Sequence, residues 1–135
     1  MLIENKQKER KTYMYQNYVC PRCFNQLTEC SCEIFPPYSL LMVDIGMQEI
    51  IRILNEKNYI TNGTCESHYG SMSIDIYVSF IRNYNLPAPD GYKWKKNKTT
   101  IAHTYSSKIS EDDFIKEKEK YIAVLLDWAK SLPSN

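Results

Sequence analysis

The sequence predicts an α+β fold in which a small antiparallel sheet is packed on one side by two helices. Three observations carry that reading. Two segments, from Asp44 to Lys57 and from Glu111 to Leu132, each show a single apolar stripe at helical spacing. Between them, Ser71 to Ile81 alternates apolar and polar residues as a half-buried strand does. Four cysteines are concentrated ahead of all three, in a stretch too short to build a core of its own.

A chain of 135 residues fits one domain with a real core, and an apolar fraction of 43% excludes wholesale disorder. The formal net charge of +1 supplies no global field for nucleic acid, so any such contact needs a local patch. The opening Met1-Leu2-Ile3-Glu4-Asn5-Lys6 lacks the apolar run of a leader. The best apolar stretch, Tyr38 to Ile45, is short and contains Asp44, so no membrane association is expected. The expected compartment is cytoplasmic, where five cysteines point to metal or chemistry rather than disulfides.

Residues 1–17 read as a charged arm or solvated helix, with Lys6, Lys8, Glu9, Arg10 and Lys11 in a run. Residues 18–33 hold the cysteines, and Pro36-Pro37 is a stiff connector to an α+β unit over 38–135. In that unit Met47, Ile50, Ile51 and Leu54 form the first helix stripe, and Asn58 is its stop. Tyr59-Ile60-Thr61 reads as a short strand and Asn62-Gly63 as a tight turn. In the long strand Met72, Ile74, Ile76, Val78 and Phe80 share one face. Pro87, Pro89, Asp90 and Gly91 mark a loop, and 92–105 supplies one or two further strands. Ser110 and Asp113 resemble a capping box ahead of the last helix. Its inward face carries Phe114, Tyr121, Ile122, Leu125, Trp128, Ala129 and Leu132, with the stem of Lys118 alongside, and it ends before Pro133.

Cys20-Pro21-Arg22-Cys23 is followed after six residues by Cys30-Ser31-Cys32. A Cys-x-x-Cys turn aims two thiolates at one point, and zinc takes four such ligands in a tetrahedron. The expected site is therefore a zinc knuckle with one structural Zn2+ on Cys20, Cys23, Cys30 and Cys32, closed to water. The competing readings are a redox or disulfide pair, and a site in which His68 replaces Cys32.

Thr64-Cys65-Glu66-Ser67-His68 holds the fifth cysteine and one of two histidines, and His103 lies on a later strand. Cys65 and His68, with His103 or Asp75, can form a second, catalytic-type metal site. Alternatively, Cys65 is a nucleophile with His68 as base, or a buried small hydrophobe beside a polar loop residue.

The run Ile50 to Thr61, continuing through Cys65 to His68 and then Ile76-Tyr77-Val78-Ser79-Phe80, resembles small zinc-knuckle proteins of Gram-positive phages and prophages. They too carry an N-terminal cysteine knuckle and end in a helix like Leu125-Leu126-Asp127-Trp128-Ala129. No activity is carried over from that family. The run from Asn55 through Tyr59 and Thr61 into the cysteine-bearing turn is also similar to the tRNA wybutosine-synthesizing methyltransferase family. That family has an arginine where this chain has His68, and its members are much longer.

Tyr92-Lys93-Trp94-Lys95-Lys96-Asn97-Lys98 interleaves rings with lysines. Rings that stack on bases and lysines that meet phosphates would make a single-stranded nucleic-acid contact. An edge hairpin with rings turned inward and lysines guarding the edge is the alternative. The function expected from these features is a non-enzymatic zinc-binding interaction protein that modulates or inhibits a host protein or nucleoprotein machine. An anti-defence or anti-CRISPR role is one version, implied by the phage resemblance alone. The rivals are an enzyme working through Cys65, His68 and His103, and a single-stranded nucleic-acid binding module using Tyr92, Lys93, Trp94, Lys95, Lys96 and Lys98.

Overall fold

The computed structural model describes residues 18–21, 23–26, 29–30, 41–70, 75–106 and 108–135. The charged arm 1–17, the Pro36-Pro37 connector, Cys32, and the positions of Met72 and Ile74 lie outside the described residues. Strand β1 (Tyr18–Val19) pairs antiparallel with β2 (Leu41–Met42), so the two ends of the cysteine segment are tied together. A 3-10 turn over Ile45–Met47 leads into α1 (Gln48–Glu56). Strands β3 (Thr61–Cys65), β4 (Asp75–Phe80), β5 (Lys93–Trp94) and β6 (Thr100–Thr104) form an antiparallel sheet in the order β3-β4-β6-β5. Helix α2 (Glu111–Ser131) follows. The α+β class, the antiparallel sheet and the two helices are those read from the sequence.

The alternation of β4 decides which face is covered. Ile76, Val78 and Phe80 are buried, whereas Asp75, Tyr77 and Ser79 are only partly so. The buried row joins Ile101 of β6 in one core with Ile50, Ile51 and Leu54 of α1 and Leu125, Trp128 and Ala129 of α2. Removing such side chains from water is the main favourable term, at about 1.5–3 kcal/mol for each large one.

Helix ends follow local chemistry. Ser110 caps α2, its hydroxyl accepting from the Asp113 amide at 3.2 Å, and Glu111, Asp112 and Asp113 fill the first turn. At the end of α1, Asn58 takes a left-handed φ of 68°. The Tyr59 amide then reaches the Leu54 carbonyl at 2.9 Å and the Asn58 amide the Asn55 carbonyl at 3.0 Å. This is a Schellman closure, completed by the buried Leu54 and Tyr59 side chains.

The same corner receives the end of α2. The Lys57 ammonium donates to the carbonyls of Ala129, Lys130 and Leu132 at 2.9, 2.7 and 2.6 Å. The Tyr59 hydroxyl donates to the Pro133 carbonyl at 2.6 Å, and the Asn135 amide to the Lys57 carbonyl at 2.9 Å.

Two local expectations change. Asn62-Gly63 is not a turn: both residues lie within β3, and neither has positive φ. Thr61 pairs with Phe80 and Gly63 with Ser79, so Asn62 is the extra residue of a bulge. Pairing with β4 extends a dipeptide that would otherwise favour a reverse turn, and the strand starts at Thr61 instead of Tyr59. The helical stripe beginning near Asp44 also divides. Asp44 precedes the 3-10 turn without capping it, because its carboxylate accepts from the Glu66 amide at 2.9 Å.

Candidate metal centre

Strand β1 delivers Cys20 into a tight turn. The Cys20 amide donates to the Asn25 carbonyl at 3.0 Å and the Phe24 amide to the Cys20 carbonyl at 2.9 Å. Phe24 holds a left-handed φ of 59°, a conformation costly for a residue with a side chain. The turn brings the Cys23 amide to 3.5 Å from the Cys20 sulfur. An antiparallel bridge between Val19 and Gln26, and a 2.8 Å bond from the Gln26 amide group to the Gln48 side chain, fix this loop against α1.

The sulfurs of Cys20, Cys23 and Cys30 lie within 4.8 Å of one another, with Cys20 fully buried. Sulfurs on a zinc tetrahedron stand about 3.8 Å apart, from a metal–sulfur distance of about 2.3 Å. None of the three is joined in a disulfide. Three converging thiols of this kind can hold a metal, and the donor set suits a soft or borderline ion. Cys32, the fourth expected ligand, lies outside the described residues.

His68 does not join this centre, so the variant in which it replaces Cys32 is set aside. It lies instead with Asp44 and Cys65, and one ligand atom from each falls within 4.8 Å of the other two. Cys65 ends β3 and His68 lies in the loop that follows. Asp44 is the member that sequence reasoning missed. Its only signal was an acid interrupting the apolar run Tyr38 to Ile45.

His103 and Asp75, the alternatives proposed as the third member, are engaged elsewhere. In the sheet Cys65 pairs with Tyr77 and Tyr77 with Ala102, whereas His103 pairs with Ile76 in the helix-covered row. The His103 ring stacks on Tyr121 of α2 at 3.5 Å. Its Nδ1 donates to the Gly91 carbonyl at 2.9 Å, and Nε2 stands 3.6 Å from the Glu117 carboxylate. Gly91 permits this approach with φ of 80°, and a Cβ there would run into the Tyr121 ring. Beyond His103, burial pushes the Tyr105 phenol above its usual range, reinforced by the charges of Glu117 and Glu66.

Asp75 accepts from the Thr104 hydroxyl at 2.7 Å and the Lys95 ammonium at 3.0 Å. Burial acts to raise its pKa, but these two hydrogen bonds and the Lys95 charge outweigh it and hold the carboxyl below the ordinary 3.8. A lowered folded-state pKa contributes stability that is complete above the unfolded value and lost as pH falls through the folded one. Asp75→Asn is therefore expected to flatten the decline in stability below about pH 4, measured by urea unfolding at stepped pH.

The basic aromatic segment turns its rings inward. Tyr92 is buried and its hydroxyl donates to the Tyr121 carbonyl at 2.8 Å. Trp94 is half-buried, with its indole N–H on the Leu86 carbonyl at 2.8 Å and its ring against Phe80. Lys93, Lys95, Lys96 and Lys98 are exposed on the edge strand and the turn after it. The rings are committed to packing and do not form an exposed stacking platform, because Trp94 pairs opposite Ile101, a buried core position.

A cleft of about 250 Å³ separates the cysteine turn from α1, lined among others by Phe24, Gln26, Ile45, Glu49 and Arg52. Among the described residues, no helix is long and apolar enough to cross a membrane. No protein-family model, curated protein or solved structure matches the chain.

Proposed function

We propose that the protein is a non-enzymatic interaction protein in which Cys20, Cys23, Cys30 and Cys32 hold one structural zinc. The metal-held turn and helix α1 together present the contact surface. The observation that carries this reading is the cleft whose one wall is the cysteine turn and whose other is α1. Ile45, on its rim, is 50% exposed, and Met42 nearby in sequence on β2 is 68% exposed. Apolar side chains exposed beside a polar groove suit a protein partner. The resemblance to phage-encoded knuckle proteins suggests a host protein or nucleoprotein complex, whose activity this protein would modulate or inhibit.

Zinc here does no chemistry, since four thiolates leave no position for water. Its role is to fix a turn that so short a segment cannot stabilise alone. The single-stranded nucleic-acid reading draws no support from Tyr92 and Trp94, whose rings face the core. The test is quantitative capture of a host partner by the wild-type chain and by an Ile45→Glu, Arg52→Glu double variant. With zinc content and melting temperature unchanged, capture is expected to fall at least about tenfold, from the loss of an apolar contact and the reversal of a charge. Equal capture by both proteins would move the interface elsewhere.

A further inference from the structure

We infer that Asp44, Cys65 and His68 form a second metal site, taking one zinc-type divalent cation through three protein ligands and leaving its fourth position to water or an exogenous donor. The three side chains come from two separate segments, and one ligand atom of each lies within 4.8 Å of the others. The set combines a thiol, an imidazole and a carboxylate, which suits zinc and not the oxygen-seeking magnesium or calcium.

The spacing within the triangle separates this reading from a Cys–His–Asp relay. In a Cys–His–Asp relay the imidazole stands between thiol and carboxylate, so two hydrogen bonds and the ring width hold them roughly 7 Å apart. Here sulfur and carboxylate oxygen lie within 4.8 Å of each other. His68 Nε2 stands 3.6 Å from Asp44 Oδ1, beyond hydrogen-bond range, and nitrogen and oxygen ligands on a zinc tetrahedron are about 3.3 Å apart, so the pair is spaced to admit a shared metal.

The site is also braced as metal ligands are. Asp44 Oδ2 accepts from the Glu66 amide at 2.9 Å, which orients Oδ1 toward His68. The Ser67 amide donates to the Cys65 sulfur at 3.3 Å, and Ser67 holds a left-handed φ of 69° while fully buried. An amide of the same turn likewise points at the first sulfur in the Cys20–Cys23 knuckle, where Phe24 has the left-handed φ. From α2, Lys118 bonds the Ser67 carbonyl at 2.9 Å and pairs with Glu66 at 3.3 Å. The other Glu66 oxygen takes the Gly46 amide at 3.0 Å, and a Cβ at Gly46 would run into that carboxylate. The loop 65–68 is thus held from both sides with its ligand atoms converging. His68 is 57% exposed, so the fourth position opens to solvent.

The test counts zinc in the full chain, purified reduced, for wild type, His68→Ala and Asp44→Asn. His68→Ala alters an exposed side chain, and Asp44→Asn keeps an acceptor for the Glu66 amide, so both are expected to fold as judged by circular dichroism. Two equivalents in wild type and one in each variant support the site, as does a rise of about a hundredfold or more in the weaker dissociation constant. Changes outside the ligand shell alone cost 10–100-fold. A single wild-type equivalent that disappears in His68→Ala also supports this site, and then counts against the four-cysteine knuckle. Wild-type zinc content, whether one or two equivalents, that neither variant reduces would overturn the proposal. Cobalt substitution checks the assignment: the second cobalt bound should add the charge-transfer absorption of one thiolate, and none in Cys65→Ser.

Discussion

On the proposed zinc knuckle, Cys20→Ser is expected to release the metal from the N-terminal turn and to expose its amides to exchange at unfolded rates, while β4 and α2 keep their protection. Structural zinc in small peptides contributes on the order of 10 kcal/mol, nearly all of it as folding free energy. The segment has little to replace it with. Its described ladder with β2 is two residues long, and Phe24 is held at φ of 59°, which costs about 1–2 kcal/mol. The core built on Ile76, Val78, Phe80 and Leu125 draws most of its apolar contacts from α1, the sheet and α2, with Val19 its one fully buried member from the cysteine segment, so it is expected to persist without a metal. Hydrogen exchange read by mass spectrometry, with zinc content measured in parallel, checks the result. Unchanged protection of residues 20–30 after metal loss would show that the turn is stable without it.

The second large effect is expected in the sheet. Phe80→Ala should cost about 3–5 kcal/mol, the range for emptying a buried aromatic position. Phe80 is 1% exposed and meets the rings of Tyr84 at 5.8 Å and Trp94 at 5.9 Å. Tyr84 in turn packs edge-on against Tyr59 at 5.4 Å. Removing the central ring leaves a cavity under the β5 edge and frees Trp94, so its fluorescence should shift red in the folded variant. Urea unfolding followed at two wavelengths would register both changes. A loss below about 1 kcal/mol would mean that the surrounding rings collapse into the gap.

Much of this architecture was legible because the covered and uncovered faces differ in polarity. The alternation around Ile76, Val78 and Phe80, the serine cap at Ser110 and the stop at Asn58 each depend on a few neighbouring residues, and each is present. The misreadings have a common origin in tertiary pairing. Asn62-Gly63 is a sound local turn signal, overridden because β4 pairs with Thr61 and Gly63 on either side of Asn62 and holds it in the strand as a bulge. Only chemistry links His103 to Cys65 in the sequence. The register of β3, β4 and β6 puts it in a row of opposite parity, facing α2. Asp44 went unassigned because 21 positions separate it from Cys65, and no local pattern links them. Only the fold brings the two segments together.

Lys57 gives the C-terminal corner a further consequence. Two helices end there, α1 with its last carbonyls closed by its own Schellman amides and α2 with its last carbonyls turned to the Lys57 ammonium, so two negative helix ends share one corner. A single ammonium serves both as counterion, directly to the end of α2 and by its own position at the end of α1. With Asn135 joined to Lys57 and Asn58, the stretch from 57 to 135 becomes a ring fastened without a covalent bond. Its closure entropy is spent once, on one corner, and the whole sheet lies inside the loop.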